Sequence, residues 1–306
     1  MAILLIGGTG KTARRLARLL QEAQISILIA SRRAEESGAS SPGTDVVRFD
    51  WLDPSTYENP FKNARITAAY IMNPIVENPD ISMKAWIDYA IQNHGLRRFV
   101  LVAGTTASPG SPGVGGVWQH FLDTGVDYCV LRPTWFMENL TDGPACRTIK
   151  TEGKIYSATG DAQFPFVSAE DIAAVALRAL TDPRSHNCDY KLLGRELLTY
   201  DQVIIPPFPR PLLFLSSVPV AAKLSQALGR RVEHVKLTAD ERVQAFLKAG
   251  LSDYYANFLV NVETKKEDLG RFLHEDAIRK VTGKTPKTFD EFIQENKAIW
   301  EEAQRL

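Results

Sequence analysis

The sequence predicts an α/β fold: a doubly wound parallel sheet followed by a smaller, mostly helical C-terminal lobe. Three observations predict it. From residue 2 onward, short continuous apolar runs alternate with stretches of helical period, the pattern of parallel strands joined by right-handed crossovers. A glycine turn, Gly7-Gly8-Thr9-Gly10, separates the first apolar run from the first periodic stretch. The last third of the chain carries helix-opening signals instead of strand runs. With 306 residues, the chain is long enough for one large domain or a domain plus a lobe. The expected division is residues 1–150 for the sheet domain and 151–306 for a part that completes the sheet and forms the lobe.

Ala2–Ile6 (AILLI) is a run buried on both faces, hence the first strand. Residues 12–23 follow as a helix, with Ala13, Leu16, Ala17, Leu19 and Leu20 on one face and Arg14, Arg15 and Arg18 solvated on the other. A strand, a glycine turn and a helix start are what a dinucleotide pyrophosphate needs. The glycines admit the phosphates to the backbone, and the helix N-terminus meets their charge. Gly7, Gly10 and Ala13 give G-x-x-G-x-x-A. Gly10-Lys11-Thr12 does not close a P-loop, because glycine would be required where Leu5 stands.

The second strand, 25–30, ends in Ser31-Arg32-Arg33. An NAD-specific site places Asp or Glu here on the ribose 2′-hydroxyl, whereas a serine and two arginines suit a 2′-phosphate, so NADPH is expected. The third strand, 46–49, ends in Asp50-Trp51, whose carboxylate and ring either bracket the adenine or, for Trp51, simply pack. Ile66–Met72 is the fourth strand, closing in Asn73-Pro74. Pro79–His94 is a helix and 98–103 the fifth strand. Residues 104–116 (GTTASPGSPGVGG) read as a mobile loop outside the carboxyl end of that strand, the edge on which open α/β sheets bind ligands. A short helix at 117–124, a strand at 127–131 and an aromatic turn at 132–140 (RPTWFMENL) follow, then a helix at 168–180 and a strand at 189–193.

A helix expected to open at 198–203 cannot continue through 204–220 (IIPPFPRPLLFLSSVPV), where five prolines stand. Helical sequence resumes at 221–229, and deleting the seventeen residues between would align Val203, Leu224 and Leu228 on one apolar face. The segment reads as an insertion into an ancestral helix, either a lid or contact element or a translated intron. Beyond it, Thr238 with Glu241 and Thr288 with Glu291 are capping boxes opening helices.

Composition excludes several classes. Lys and Arg total 36 and Asp and Glu 36, so a nucleic-acid partner, which draws on a basic excess, is not expected. Three cysteines make neither an even framework nor C-x-x-C, as in a reduced compartment. No run reaches membrane-spanning length and no signal peptide precedes the first strand; a cytoplasmic monomer or homodimer is expected. The five histidines show no pair at metal-ligand spacing. None of the nine tyrosines has lysine four residues on, since Tyr128 meets Arg132, Tyr156 meets Gly160 and Tyr190 meets Gly194. The Tyr-x-x-x-Lys acid of ketone reduction is therefore missing.

GGTGKTA at the start, SRR after strand two, FDWLD after strand three, RRFVLVA and LRPTWFMENL resemble the NmrA-like, atypical short-chain dehydrogenase family, and more narrowly its fungal ergot-alkaloid reductases. The resemblance covers nearly the whole chain except 204–220. It implies a Rossmann fold, NADPH or NADP⁺, and hydride delivery to C=N⁺ of an indole-alkaloid intermediate. It places cofactor contacts on Gly7, Thr9, Gly10, Lys11, Thr12, Arg32, Asp50, Asn73 and the turn Pro133 to Phe136; Ser31, Arg33, Trp51, Pro74 and Gly104 are expected beside them.

An iminium already carries its charge, so the site needs orientation, dryness and an anion or π-face rather than an acid. Trp118, Trp135 and Phe136 are candidate π-faces, Glu138 and Asp123 candidate carboxylates, and His120 a candidate proton carrier. Asn139 and Thr105 complete the expected substrate contacts. Two alternatives remain open on sequence: an iminium-forming cyclase of the Pictet–Spengler kind, and a non-catalytic NADP(H)-sensing regulator.

Overall fold

The structure, a computed structural model, describes residues 1–8, 10–32, 34, 44–201, 218–265 and 268–301. Thr9 and Arg33, two expected cofactor contacts, lie outside the described residues, as do residues 204–217 of the proline-rich segment. In chain order the elements begin β1 (Ala2–Ile6), α1 (Lys11–Glu22), β2 (Ile27–Ser31), β3 (Thr44–Arg48), β4 (Ile66–Met72), α2 (Pro79–His94) and β5 (Arg98–Val102). Next come α3 (Val114–Thr124), β6 (Asp127–Pro133), α4 (Gly143–Glu152), β7 (Lys154–Ser157), α5 (Ala169–Thr181) and β8 (Cys188–Leu192). The series closes with α6 (Val220–Leu228), β9 (Glu233–Lys236), α7 (Ala239–Lys248), α8 (Asp253–Thr264), α9 (Ala277–Thr282) and α10 (Phe289–Glu301).

Two compact units share these elements. The first comprises Met1–Pro133, Ala169–Leu192 and Ala277–Thr285; the second comprises Thr134–Ser168, Leu193–Asp276 and Pro286–Leu306. The division thus falls after Pro133 rather than at residue 150, and the chain crosses it more than once.

In the first unit, seven strands among the described residues form one parallel sheet in the order β3-β2-β1-β4-β5-β6-β8. The order reverses between β1 and β4, a switch point that opens a crevice at the carboxyl ends of the strands. On one face Trp86 of α2 is fully buried among Phe49, Trp51, Phe61 and Phe99. These are edge-on and stacked pairs that each contribute about 0.5–1.5 kcal/mol beyond their area. On the other face α1 buries Ala13, Leu16 and Leu20 completely and packs on α5. Its Arg15 and Arg18 pair with Glu170 of α5, so they form a solvated ion-paired face rather than a binding patch.

Local chemistry moves some boundaries. Ile25 is not yet strand: its N–H closes the turn after α1 on Leu20 O (2.9 Å), beside Gln24 at positive φ. The loop expected at 104–116 is shorter and folded on itself, because α3 already starts at Val114. Ser111 bonds Ser108 O through both its N–H (3.1 Å) and its hydroxyl (2.8 Å). A Cβ at Gly115 would stand 2.4 Å from Ser108 O, so this close turn requires glycine there.

The second unit holds a two-stranded parallel sheet of β7 and β9 and a core in which Trp300, Phe289 and Phe292 of α10 meet Leu140, Ile149, Phe166 and Leu224. Neither short strand is legible as an apolar run. The helix expected from Leu198 does not form there: Leu198 exchanges both backbone bonds with Phe164 (2.9 and 3.0 Å) as an antiparallel bridge. Yet the next two carbonyls open α6 across the gap, Thr199 O accepting from Val220 N–H (3.0 Å) and Tyr200 O from Ala221 N–H (3.4 Å). Thr199 and Tyr200 before the proline-rich segment therefore meet Val220 and Ala221 at one helix N-terminus.

Candidate functional site

The glycine turn after β1 is built as a cradle. Gly7 stands at φ +81°, open to a residue without Cβ, and its carbonyl accepts from Gly10 N–H (2.9 Å). Gly8 is buried, and a Cβ there would come within 2.4 Å of Ile29 Cγ2, so this glycine serves the packing of the turn on β2. Gly10 caps α1 with no side-chain hydrogen bond to its first turn. A twelve-residue helix therefore starts at a glycine, and its positive end with Gly7 and Gly10 fits a pyrophosphate. Lys11 is half-buried beside it. Thr12 is fully buried near the Tyr70 hydroxyl on β4, whose phenol burial pushes well above its usual value.

The other expected cofactor residues follow the carboxyl ends of neighbouring strands. Ser31, half-buried, ends β2, and Arg32 next to it is exposed. Asp50 is half-buried and its Oδ1 accepts from Leu52 N–H (3.0 Å). Of the two expectations for Trp51, packing is what the geometry has. Its ring lies edge-on to Phe49 and Trp86, and its indole N–H donates to Met72 O (3.1 Å), tying the end of β3 to the end of β4. Asn73 donates to Pro74 O (3.0 Å). Gly104 and Thr105 follow β5, and Pro133 ends β6. The parallel sheet thus gathers these residues along one edge.

Within the same unit, Trp118 and His120 on α3 are held by other partners. Trp118 is 6 % exposed in the aromatic core, with the Arg132 guanidinium 5.5 Å from its ring. His120 Nε2 lies 2.7 Å from Asp88 Oδ1 on α2. Its ring lines a groove of about 370 Å³ with Asn78, Lys84 and Gln119, and Asp123 of that groove accepts from Gln119 (2.9 Å).

In the second unit the turn after Pro133 is pinned along Val167. Trp135 O accepts from Val167 N–H (2.9 Å), and Met137 N–H donates to Val167 O (3.0 Å). Trp135 and Phe136 stay half-exposed, Trp135 edge-on to Phe164 at 5.6 Å. Asn139 is half-buried in the single-turn helix Met137–Leu140. Glu138 is 2 % exposed, and Ser168 Oγ donates to its Oε1 (3.4 Å).

Two groups went unread in the sequence. Arg132 opens the aromatic turn and follows Tyr128 where lysine would stand, but its spacing gives it no partner; it joins Thr105 O (2.6 Å) to Asp189 (2.7 Å). In the second unit, the His234 side chain is enclosed between Asp201 (Nδ1 to Oδ1, 2.8 Å) and Ser157 (Nε2 to Oγ, 2.8 Å), and burial lowers its pKa. Nothing in the spacing of residues 157, 201 and 234 signals this chain of bonds.

The NAD(P)H-binding family model matches residues 7–183. The chain is 36 % identical to the agroclavine dehydrogenase of Claviceps fusiformis over 98 % of its length and 99 % of the relative's. It is 37 % identical to the festuclavine dehydrogenase of Aspergillus fumigatus, with the same coverage. Among solved structures it resembles Escherichia coli NADPH-dependent quinone oxidoreductase in complex with NADPH (TM-score 0.74, 19 % identity, 96 % and 99 % covered). It also resembles Citrobacter triphenylmethane reductase complexed with NADP(H) (TM-score 0.72, 17 % identity, 97 % and 100 % covered). These last two likenesses are of fold.

Proposed function

The chain belongs to the NAD(P)H-binding family, related over nearly its full length to fungal agroclavine and festuclavine dehydrogenases, and on that premise we propose that it is an NADPH-dependent reductase of a cyclic iminium in indole-alkaloid secondary metabolism. The observation that carries this reading is the pairing of the glycine-capped end of α1 with a chain that holds no Tyr-x-x-x-Lys. Such a site binds the hydride donor and offers no acid of the short-chain type, which suits an acceptor already cationic.

NADPH, when bound, supplies the hydride. Gly7, Gly10 and the N-terminus of α1 hold the pyrophosphate, while Ser31 and Arg32 at the end of β2 take the 2′-phosphate through a hydroxyl and a guanidinium. Asp50, Asn73, Pro74, Gly104 and Pro133 shape the rest of the edge. Within the second unit, Trp135 and Phe136 offer a cation a π-face, Asn139 adds a polar contact, and the buried carboxylate of Glu138 lends negative field to the same turn; within the first, Thr105 offers a polar contact after β5. His120 and Trp118 receive no part in this chemistry, the first being engaged by Asp88 and the second packed under Arg132.

The test is to incubate the protein with NADPH and a panel of cyclic iminium and indole-aldehyde-plus-amine substrates and to weigh the products. A product heavier by one hydride, with matching NADPH loss, supports the reductase. A ring-closed product with NADPH untouched moves the case to a cyclase. Binding without turnover, with a protein partner retained, moves it to a regulator. For the cofactor, Arg32→Ala weakens NADPH about 10- to 100-fold, the worth of a charge-assisted bond, and leaves NADH unchanged. An equal loss of both overturns the 2′-phosphate assignment.

A further inference from the structure

We propose that Arg132 is the positioning residue for the nicotinamide half of the dinucleotide site. The inference rests on reading the carboxyl edge of the first unit as that site. The glycine turn after β1 takes the pyrophosphate and the end of β2 the adenosine ribose. The other half of the dinucleotide then runs across the switch point, over the ends of β4, β5 and β6. On that side the backbone ladder stops at Ala103, whose N–H donates to Leu131 O (2.8 Å). Gly104, with nothing within 4 Å of an added Cβ, and Thr105 lead away from the sheet.

Arg132, near the end of β6, ties that departing loop down. Its Nη2 donates to Thr105 O (2.6 Å), its Nη1 donates to Asp189 Oδ2 on β8 (2.7 Å), and its guanidinium lies 5.5 Å from the Trp118 ring. Its side chain is 14 % exposed, and its Nε is buried without a hydrogen-bond partner. One planar, permanently charged group thus sets the height of the β5 loop against β8 and α3. Lysine does not replace it: a single ammonium carries the charge but lacks the rigid fork that reaches a carbonyl and a carboxylate in fixed directions.

The experiment compares two ligands in the full-length protein by calorimetric titration: NADPH, and 2′,5′-ADP, which carries the adenosine half alone. Arg132→Lys weakens NADPH about tenfold and leaves 2′,5′-ADP within about a factor of two, because only the nicotinamide half meets the displaced loop. Asp189→Asn keeps an acceptor but removes its charge, and gives a smaller loss in the same direction. Should Arg132→Lys fail to fold, Asp189→Asn decides alone. Equal losses of both ligands, or of neither, overturn the proposal, since a purely structural arginine does not distinguish the halves. A wild-type chain that binds neither ligand overturns the dinucleotide reading itself.

Discussion

Gly8 and Gly10 stand two positions apart and answer different demands. Gly8 is fixed by packing, its missing Cβ leaving room for Ile29, whereas a Cβ at Gly10 would stand 3.2 Å from the Gly7 carbonyl oxygen, in the turn itself. Gly8→Ala is therefore expected to cost about 1–3 kcal/mol through overpacking, read as a lower urea midpoint. Gly10→Val fills the space of the pyrophosphate and abolishes NADPH binding while the far-ultraviolet dichroism persists. His234 gives a pH prediction of its own. Burial holds its folded-state pKa below the unfolded value of about 6.5. The unfolded chain then takes the proton more readily, so the stability this group contributes is complete above about pH 6.5 and is lost as the pH falls toward the lowered folded value. Urea midpoints at pH 7.5 and 5.5 are expected to fall further in the wild type than in His234→Gln; equal falls would refute the assignment. The glycine cradle was legible because its chemistry is local. The choice between the two expectations for Trp51, and the partner of His120, were not, because a ring's partner is chosen by the neighbouring strand or helix: Met72 for one, Asp88 for the other.

At the scale of elements, the backbone bonds flanking the proline-rich segment set a register of their own, one residue from the 204–220 read off the prolines. Removing residues 203–219 makes Val220 the fourth residue after Thr199 and Ala221 the fourth after Tyr200. The two observed bonds across the gap then become ordinary helical ones. Thr199 and Gln202 stand at capping-box spacing for that helix. The shortened chain is expected to fold with an unchanged or higher melting temperature, to keep its NADPH affinity, and to gain about one turn of helix. A melting temperature several degrees lower would show that the segment holds the second unit together. The long strands and amphipathic helices of the first unit were legible from periodicity, as apolar runs buried on both faces. The short β7 and β9 were not, since KIYS and EHVK carry no run and become strands only by pairing with each other.

For the whole molecule, the first unit is assembled from three stretches of chain and the second from three others. A ligand that binds the native crevice alone stabilises by mass action, by about 2.7 kcal/mol at a hundredfold excess over its dissociation constant. NADPH is accordingly expected to raise the melting temperature, and NADH to raise it less at the same concentration. Equal shifts would remove the preference assigned to Ser31 and Arg32. By itself the sequence determined the fold class, the dinucleotide turn, the absence of a Tyr-x-x-x-Lys acid and the family resemblance. Each is a matter of neighbouring residues or of period, and burial on both faces of a parallel sheet writes itself as apolar runs. Tertiary structure alone decided where the units divide, which arginine holds the β5 loop, and that Ser157, Asp201 and His234 meet. Those outcomes join residues tens of positions apart, and only the packing of strands and helices sets such distances.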